Sequence, residues 1–157
     1  MAAGLMSASV AYAQESSKIA FVSTERIFRE AAPAKAAQTK LEQEFAKRDR
    51  ELQDMAARLK AQSDKLDKDA SVLSDSDRAK RQRDLSDLDK EFQRKQREFR
   101  EDLNQRRNEE LAVVLERTNK VIRQIAEAEK YDIVFQEAVY ASKRIDITDK
   151  VLKELAK

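Results

Sequence analysis

The sequence predicts a mainly α chain in which a long antiparallel coiled-coil helical hairpin projects from a small, strand-containing α+β oligomerisation body. Three observations carry this. Of the 157 residues 39% are charged and only 6% aromatic, which starves a compact core but suits long helices. Apolar side chains recur at alternating steps of four and three from Leu41 to Leu73. The same positions return in mirror order after Val72, as an antiparallel partner requires.

Taken in chain order, Ala2 to Ala13 are small and largely apolar and end in Ala11-Tyr12-Ala13 before Gln14, the small-x-small pattern that signal peptidase cuts. Residues 1–13 are therefore expected to be the remnant of a signal peptide cleaved after Ala13. No Lys or Arg precedes the stretch, so the basic opening of the signal is expected upstream of Met1. The stretch is too short to span a bilayer as a helix. Lys18 to Ser23 alternates and favours a strand. Thr24 is the expected cap of a brief helix over Glu25–Ala31, and Pro33 suits the first turn of a much longer one.

Along that longer helix, positions 41, 45, 48, 52, 55, 59, 62, 66, 69 and 73 form a heptad seam diluted by Arg48, Gln62 and Asp69. The return segment sets Leu103 against Leu41, Phe99 against Phe45, Phe92 against Leu52, Leu88 against Met55 and Leu85 against Leu59. Unrelated amphipathic helices match at one or two such places; five in register define a hairpin. Its turn, residues 69–77, offers Ser and Asp caps where glycine is missing, with Ser74 or Ser76 starting the return helix. Each arm would reach roughly 57 Å at about 1.5 Å per residue. Between Gln96 and Leu111 the return seam is expected to step by fours through Phe99, Leu103 and Arg107, relaxing the supercoil. From Leu111 to Ile125 the apolar stripe widens, as it should where the helix enters a packed body.

After Lys130 the period falls to two. Tyr131–Phe135 and Ala138–Ala141 are expected as a second and third strand, and Thr148 as the N-cap of a closing helix stapled by Ile147 and Leu152. Residues 14–33 and 111–157 thus make one composite body, and 34–110 the arm. Three short strands leave unpaired edges and too little buried area to hold two long arms. A homo-oligomer joined through Ile19, Phe21, Ile133, Phe135 and Val139 is the expected remedy.

The charge and residue inventory removes whole classes of function. The 32 basic and 30 acidic residues nearly cancel and are interleaved, which argues against a nucleic-acid surface. With no His and no Cys, zinc sites, thiol nucleophiles, His-based triads and disulfides are excluded together. Gly4 is the only glycine, so no loop can cradle a phosphate in the P-loop manner. Neither catalysis nor a cofactor is expected.

Several segments, weak singly and strong in their order and spacing, resemble the Skp (OmpH-like) family of periplasmic chaperones. They are Lys18-Ile-Ala-Phe-Val-Ser followed by Ile27-Phe28, Leu41-Glu-Gln-Glu-Phe45, Glu51-Leu-Gln-Asp-Met55, Arg107-Asn-Glu-Glu110, Tyr131-Asp-Ile-Val134 and Asp146-Ile-Thr-Asp-Lys-Val-Leu152. The resemblance covers nearly the whole mature chain. It implies a periplasmic homotrimer whose hairpin arms enclose a cavity for unfolded outer-membrane proteins, working as an ATP-independent holdase. Client contact would be diffuse over the inner arm faces, since many weak contacts hold through effective concentration and still release. A lipopolysaccharide or anion patch on the return helix would fall on Lys95, Arg106 and Arg107. One departure stands out: residues 64–77 hold five Asp against two Lys, while Arg78 to Arg107 carry eleven bases and seven acids. Positive charge is thereby expected partway along the arm and not at its tip. Two other readings share the hairpin, a secreted structural or adaptor coiled coil with one defined partner and a prefoldin-like cytosolic chaperone.

Overall fold

The computed structural model describes residues 17–157. The signal segment and its cleavage point after Ala13 lie outside the described residues. The elements run β1 (Ile19–Phe21), α1 (Thr24–Glu30), α2 (Ala32–Asp69), α3 (Asp75–Glu129), β2 (Ile133–Phe135) and α4 (Thr148–Leu155).

Local chemistry sets each boundary. The Ser23 hydroxyl accepts the Arg26 N–H at 3.3 Å, so the cap of α1 falls one residue before the expected Thr24. The helix cannot run on, because Pro33 has no N–H to offer the preceding turn. Ala31 is extended between α1 and α2, and Pro33 enters the first turn of α2 as its fixed φ suits. At the far end Ser74 accepts the Asp77 N–H at 3.1 Å and donates to the Asp77 carboxylate at 2.6 Å, a reciprocal cap that opens α3. Asp75 and Asp77 also complement the positive end of the helix dipole. Arg81 reaches across the turn to Asp69 at 2.8 Å, and Val72 at the fold point is 81% exposed.

At about 1.5 Å per residue the 38 residues of α2 span roughly 57 Å and the 55 of α3 roughly 80 Å. The surplus of α3 runs into the body, where Val114, Thr118, Val121, Ile122 and Ile125 are buried. It ends at Lys130, whose left-handed backbone (φ 57°, ψ 48°) lets the Tyr131 N–H return to the Ala126 carbonyl at 2.9 Å.

β1 and β2 are parallel, with Ile19 opposite Ile133 and Phe21 opposite Phe135. Parallel strands need a long crossover, and here the crossover is the entire hairpin. On its other side Phe21 exchanges backbone hydrogen bonds with Ile145 and Ile147, a parallel bridge opposite Asp146. The expected third strand at Ala138–Ala141 is therefore corrected: those residues form no strand, and Val139 is fully exposed in a loop. Period-two sequence marks residues able to pair but not which edge is free. The Phe21 side of β1 is taken by Ile145–Ile147, held there because the buried Thr148 hydroxyl accepts the Ser23 N–H at 2.9 Å.

That tertiary role also removes Thr148 from its expected place as N-cap. Thr148 is the first residue of α4, Ile147 holds the cap position without a side-chain bond, and the Asp146 carboxylate accepts the Thr148 N–H at 2.8 Å instead. Ile147, Val151 and Leu155 of this end meet Ala20, Val22 and Ile27 from the N-terminal end and Val121, Ile122 and Ile125 of α3 in one core. Leu152 packs on its margin.

Candidate functional site

Two surfaces are open for recognition, the hairpin and the sheet of the body. On the hairpin, Phe45 and Phe99 meet edge to face with ring centroids 5.5 Å apart, which fixes the register read from the sequence. Arg48, an apparent flaw in the seam, lies over both rings at 5.5 and 5.7 Å and reaches Asp102 at 2.7 Å. Phe45 and Met55 are buried, while Leu41, Leu52, Leu59 and Leu66 are only half covered. A two-helix seam has no third layer, so it leaves apolar area open along its length.

The return seam does not step to Arg107. It passes through Arg106 and Glu110, both partly buried, whereas Arg107 is exposed. The reason is electrostatic: Lys40 meets Glu110 at 2.6 Å, Glu44 meets Arg106 at 3.2 Å and Arg48 meets Asp102. These pairs stand four residues apart on each helix and form a ladder along one flank. Arg106 also binds Glu109 and Glu110, so three carboxylates hold its guanidinium and raise its pKa, Glu44 foremost. In return Lys40 depresses the Glu110 carboxyl and Arg106 that of Glu109.

The opposite flank is an apolar groove of about 720 Å³ floored by Ala34, Ala37, Leu41, Phe45, Leu103 and Val114. Phe28 and Leu111 close it toward the body, and Arg50 and Arg107 stand on its rim. The three residues expected as an anion patch thus fall on two sides of the hairpin, Lys95 and Arg106 on the ladder side and Arg107 on the groove side. Arg106 is engaged by its carboxylates, Arg107 borders the groove, and Lys95 lies by Arg48, Glu51 and Glu98 on the ladder side. Sequence reasoning missed the groove, although alanines at 34, 37 and 46, set among larger residues, were its only trace.

On the body, Ile19, Ile133 and Phe135 are exposed on the face of the sheet turned away from the core, with Phe21 beside them. Val139 and Tyr140 stand out from the loop that follows. Of the five residues expected to join subunits, four lie in the sheet and Val139 does not. Among the described residues no group of side chains is arranged to hold a metal ion, and no helix is long and apolar enough to cross a membrane.

A small α+β body bearing one long, incompletely covered helical hairpin defines a class of tentacled binding protein. Within it the chain belongs to the outer membrane protein (OmpH-like) family, whose model matches residues 18–155. The chaperone protein Skp of Pectobacterium atrosepticum is 33% identical over 97% of this chain and 93% of its own length. That of Escherichia coli is also 33% identical, over 99% of this chain and 96% of its own. In fold the chain is similar to an OmpH-like outer membrane chaperone of Caulobacter crescentus, with a TM-score of 0.74 over 89% of this chain and 84% of that one at 20% identity.

Proposed function

We propose that this protein is a periplasmic, ATP-independent holding chaperone that keeps unfolded outer-membrane β-barrel proteins from aggregating before insertion. The observation that carries the reading is an arm whose seam leucines Leu41, Leu52, Leu59 and Leu66 are only half covered, on a chain matched end to end by relatives named as chaperones. Half-covered apolar residues spread over tens of ångströms hold a flexible chain through many weak contacts, which release without nucleotide. The protein acts without catalysis.

It works as a homotrimer in which the exposed faces and edges of the sheets, with Ile19, Phe21, Ile133, Phe135 and the Val139 loop, are covered by neighbouring subunits. Support for this comes from the apolar exposure of those side chains and from a two-stranded sheet that is marginal alone. Dilution of urea-unfolded β-barrel proteins into stoichiometric amounts of this protein, without nucleotide, should suppress light scattering for several clients. Scattering equal to that of the client alone would overturn the reading, and suppression confined to a single partner would favour an adaptor. Sedimentation at micromolar concentration should give a species about three times the 18.1 kDa chain mass; a species of the single-chain mass would remove the oligomer.

A further inference from the structure

The hairpin is fastened unevenly along its length. Near the body its helices are joined by the Lys40–Glu110, Glu44–Arg106 and Arg48–Asp102 pairs and by the contact of Phe45 with Phe99. At the bend Arg81 reaches Asp69, and the Arg78 guanidinium donates to the Ala70 carbonyl. Between these two ends every ion pair among the described residues joins neighbours on one helix, as Lys60 joins Asp64 and Lys90 joins Asp87. Burial follows the same division. Among the described residues α2 buries no side chain beyond Met55, and α3 none before Val114.

The layers of the seam beyond Met55 give the reason. Leu59 and Leu85 line one cleft of about 520 Å³ and form a layer with a leucine on each helix. With those two level, Gln62 stands level with Gln82 and Leu66 with Arg78, so the next layers set amide against amide and leucine against guanidinium. The Arg78 Nε is buried without a hydrogen-bond partner, so closing the seam there strips a donor of its water and supplies no acceptor. Segments with few buried apolar contacts open locally far more readily than the molecule unfolds. Once parted, residues 56–68 and 75–87 are weak helices by themselves, since isolated helices shorter than about 12–15 residues are marginal in water.

We infer that the outer part of the arm, residues 56–87, is where an unfolded client enters, the two helices parting so that an extended apolar stretch of the client lies between them. The inference rests on the chaperone reading and gives it an entry point. The chemistry of the parted surface selects such a stretch. Leu59, Leu66 and Leu85 receive apolar side chains, the Arg78 Nε gains an acceptor in a backbone carbonyl, and Gln62 and Gln82 offer amides that pair with the peptide groups of any sequence. The opened length, roughly 20 Å at about 1.5 Å per helical residue, seats about six residues of extended chain at about 3.3 Å each. The turn, capped at Ser74 and tied by Arg81 to Asp69, keeps the parted helices joined.

Two measurements on the full-length protein test this. In hydrogen exchange, amides of 56–68 and 75–87 should exchange at least tenfold faster than those of 38–55 and 89–110, and an unfolded β-barrel client should slow the outer set selectively. Because the chain has no Cys, engineered pairs can be bridged without competition. Ser63→Cys with Gln82→Cys spans the outer cleft, and Asp49→Cys with Gln96→Cys is placed equally by register across the fastened part. Each pair is closed with a reducible thiosulfonate linker. The outer bridge should raise at least threefold the amount of protein needed to halve client light scattering, and reductant should restore it in the same sample. The inner bridge should leave holding unchanged.

Equal exchange in the two parts of the arm, or equal loss of holding with both bridges, would overturn the inference. If the outer bridge leaves holding intact in a protein that does hold clients, the entry point falls and the chaperone reading stands. If the unaltered protein holds no unfolded chain, both fall.

Discussion

Single residues on this molecule act through pairs. Glu109 and Glu110 are held below the ordinary carboxyl value by Arg106 and by Lys40, so they favour the folded hairpin in their charged form. Because their folded-state values lie below the unfolded value near 4.5, that contribution is complete above about pH 4.5 and is lost as pH falls through the folded values. Helix content followed against temperature should show the midpoint dropping below pH 4.5. In Glu110→Gln the drop should be smaller; an identical drop in both would mean that these carboxyls do not hold the hairpin. Such pairing was invisible to a hydrophobic-period argument, which is why the seam was expected at Arg107 and is found at Arg106. Which of two adjacent arginines turns inward is decided by a carboxylate on the other helix, here Glu44, and nothing local to Arg106 announces it.

The helices were the most legible elements, because a mirrored apolar period leaves few ways to fold and Phe45 does meet Phe99. Strands were less so. Ala138–Ala141 has strand chemistry but no neighbour in its own chain, whereas Ile145–Ile147 pairs with β1 because the Thr148 contact to Ser23 brings it there. One element end carries strain that a substitution can relieve. Lys130 sits at φ 57°, ψ 48°, a conformation costing a residue with a Cβ about 1 kcal/mol relative to glycine. Lys130→Gly should therefore raise stability by about 0.5–1 kcal/mol in chemical denaturation, and a loss of stability would show that the lysine side chain does more than tolerate the turn.

At the scale of the whole molecule, the arm is an insertion in a parallel crossover, so its length should be adjustable without touching the body. Removing residues 49–62 together with 82–95 takes out two heptads that face each other across the hairpin. It should shorten the limb by about 21 Å while preserving register, helix cooperativity and the number of chains in the sedimenting particle. Removing either segment alone throws the remaining apolar residues out of step and should broaden and lower the melting transition. If the paired deletion changed the number of chains in the particle, the body would depend on the distal arm and the two-part architecture would be wrong. Client holding in the paired deletion should fall for long chains before short ones, since less surface remains.

The crossover also dictates an order of events for the nascent chain. Lys18 and Asp132, which bond at the mouth of the sheet, stand 114 residues apart, and closing so wide a loop at random is entropically slow. Zippering of the two helices from the bend near Val72 would solve this, each turn drawing the distant ends nearer until β1 and β2 arrive side by side. The limb is thus the clasp by which the sheet is fastened. Damage to the bend should delay maturation of the far end while leaving the finished particle as durable as before.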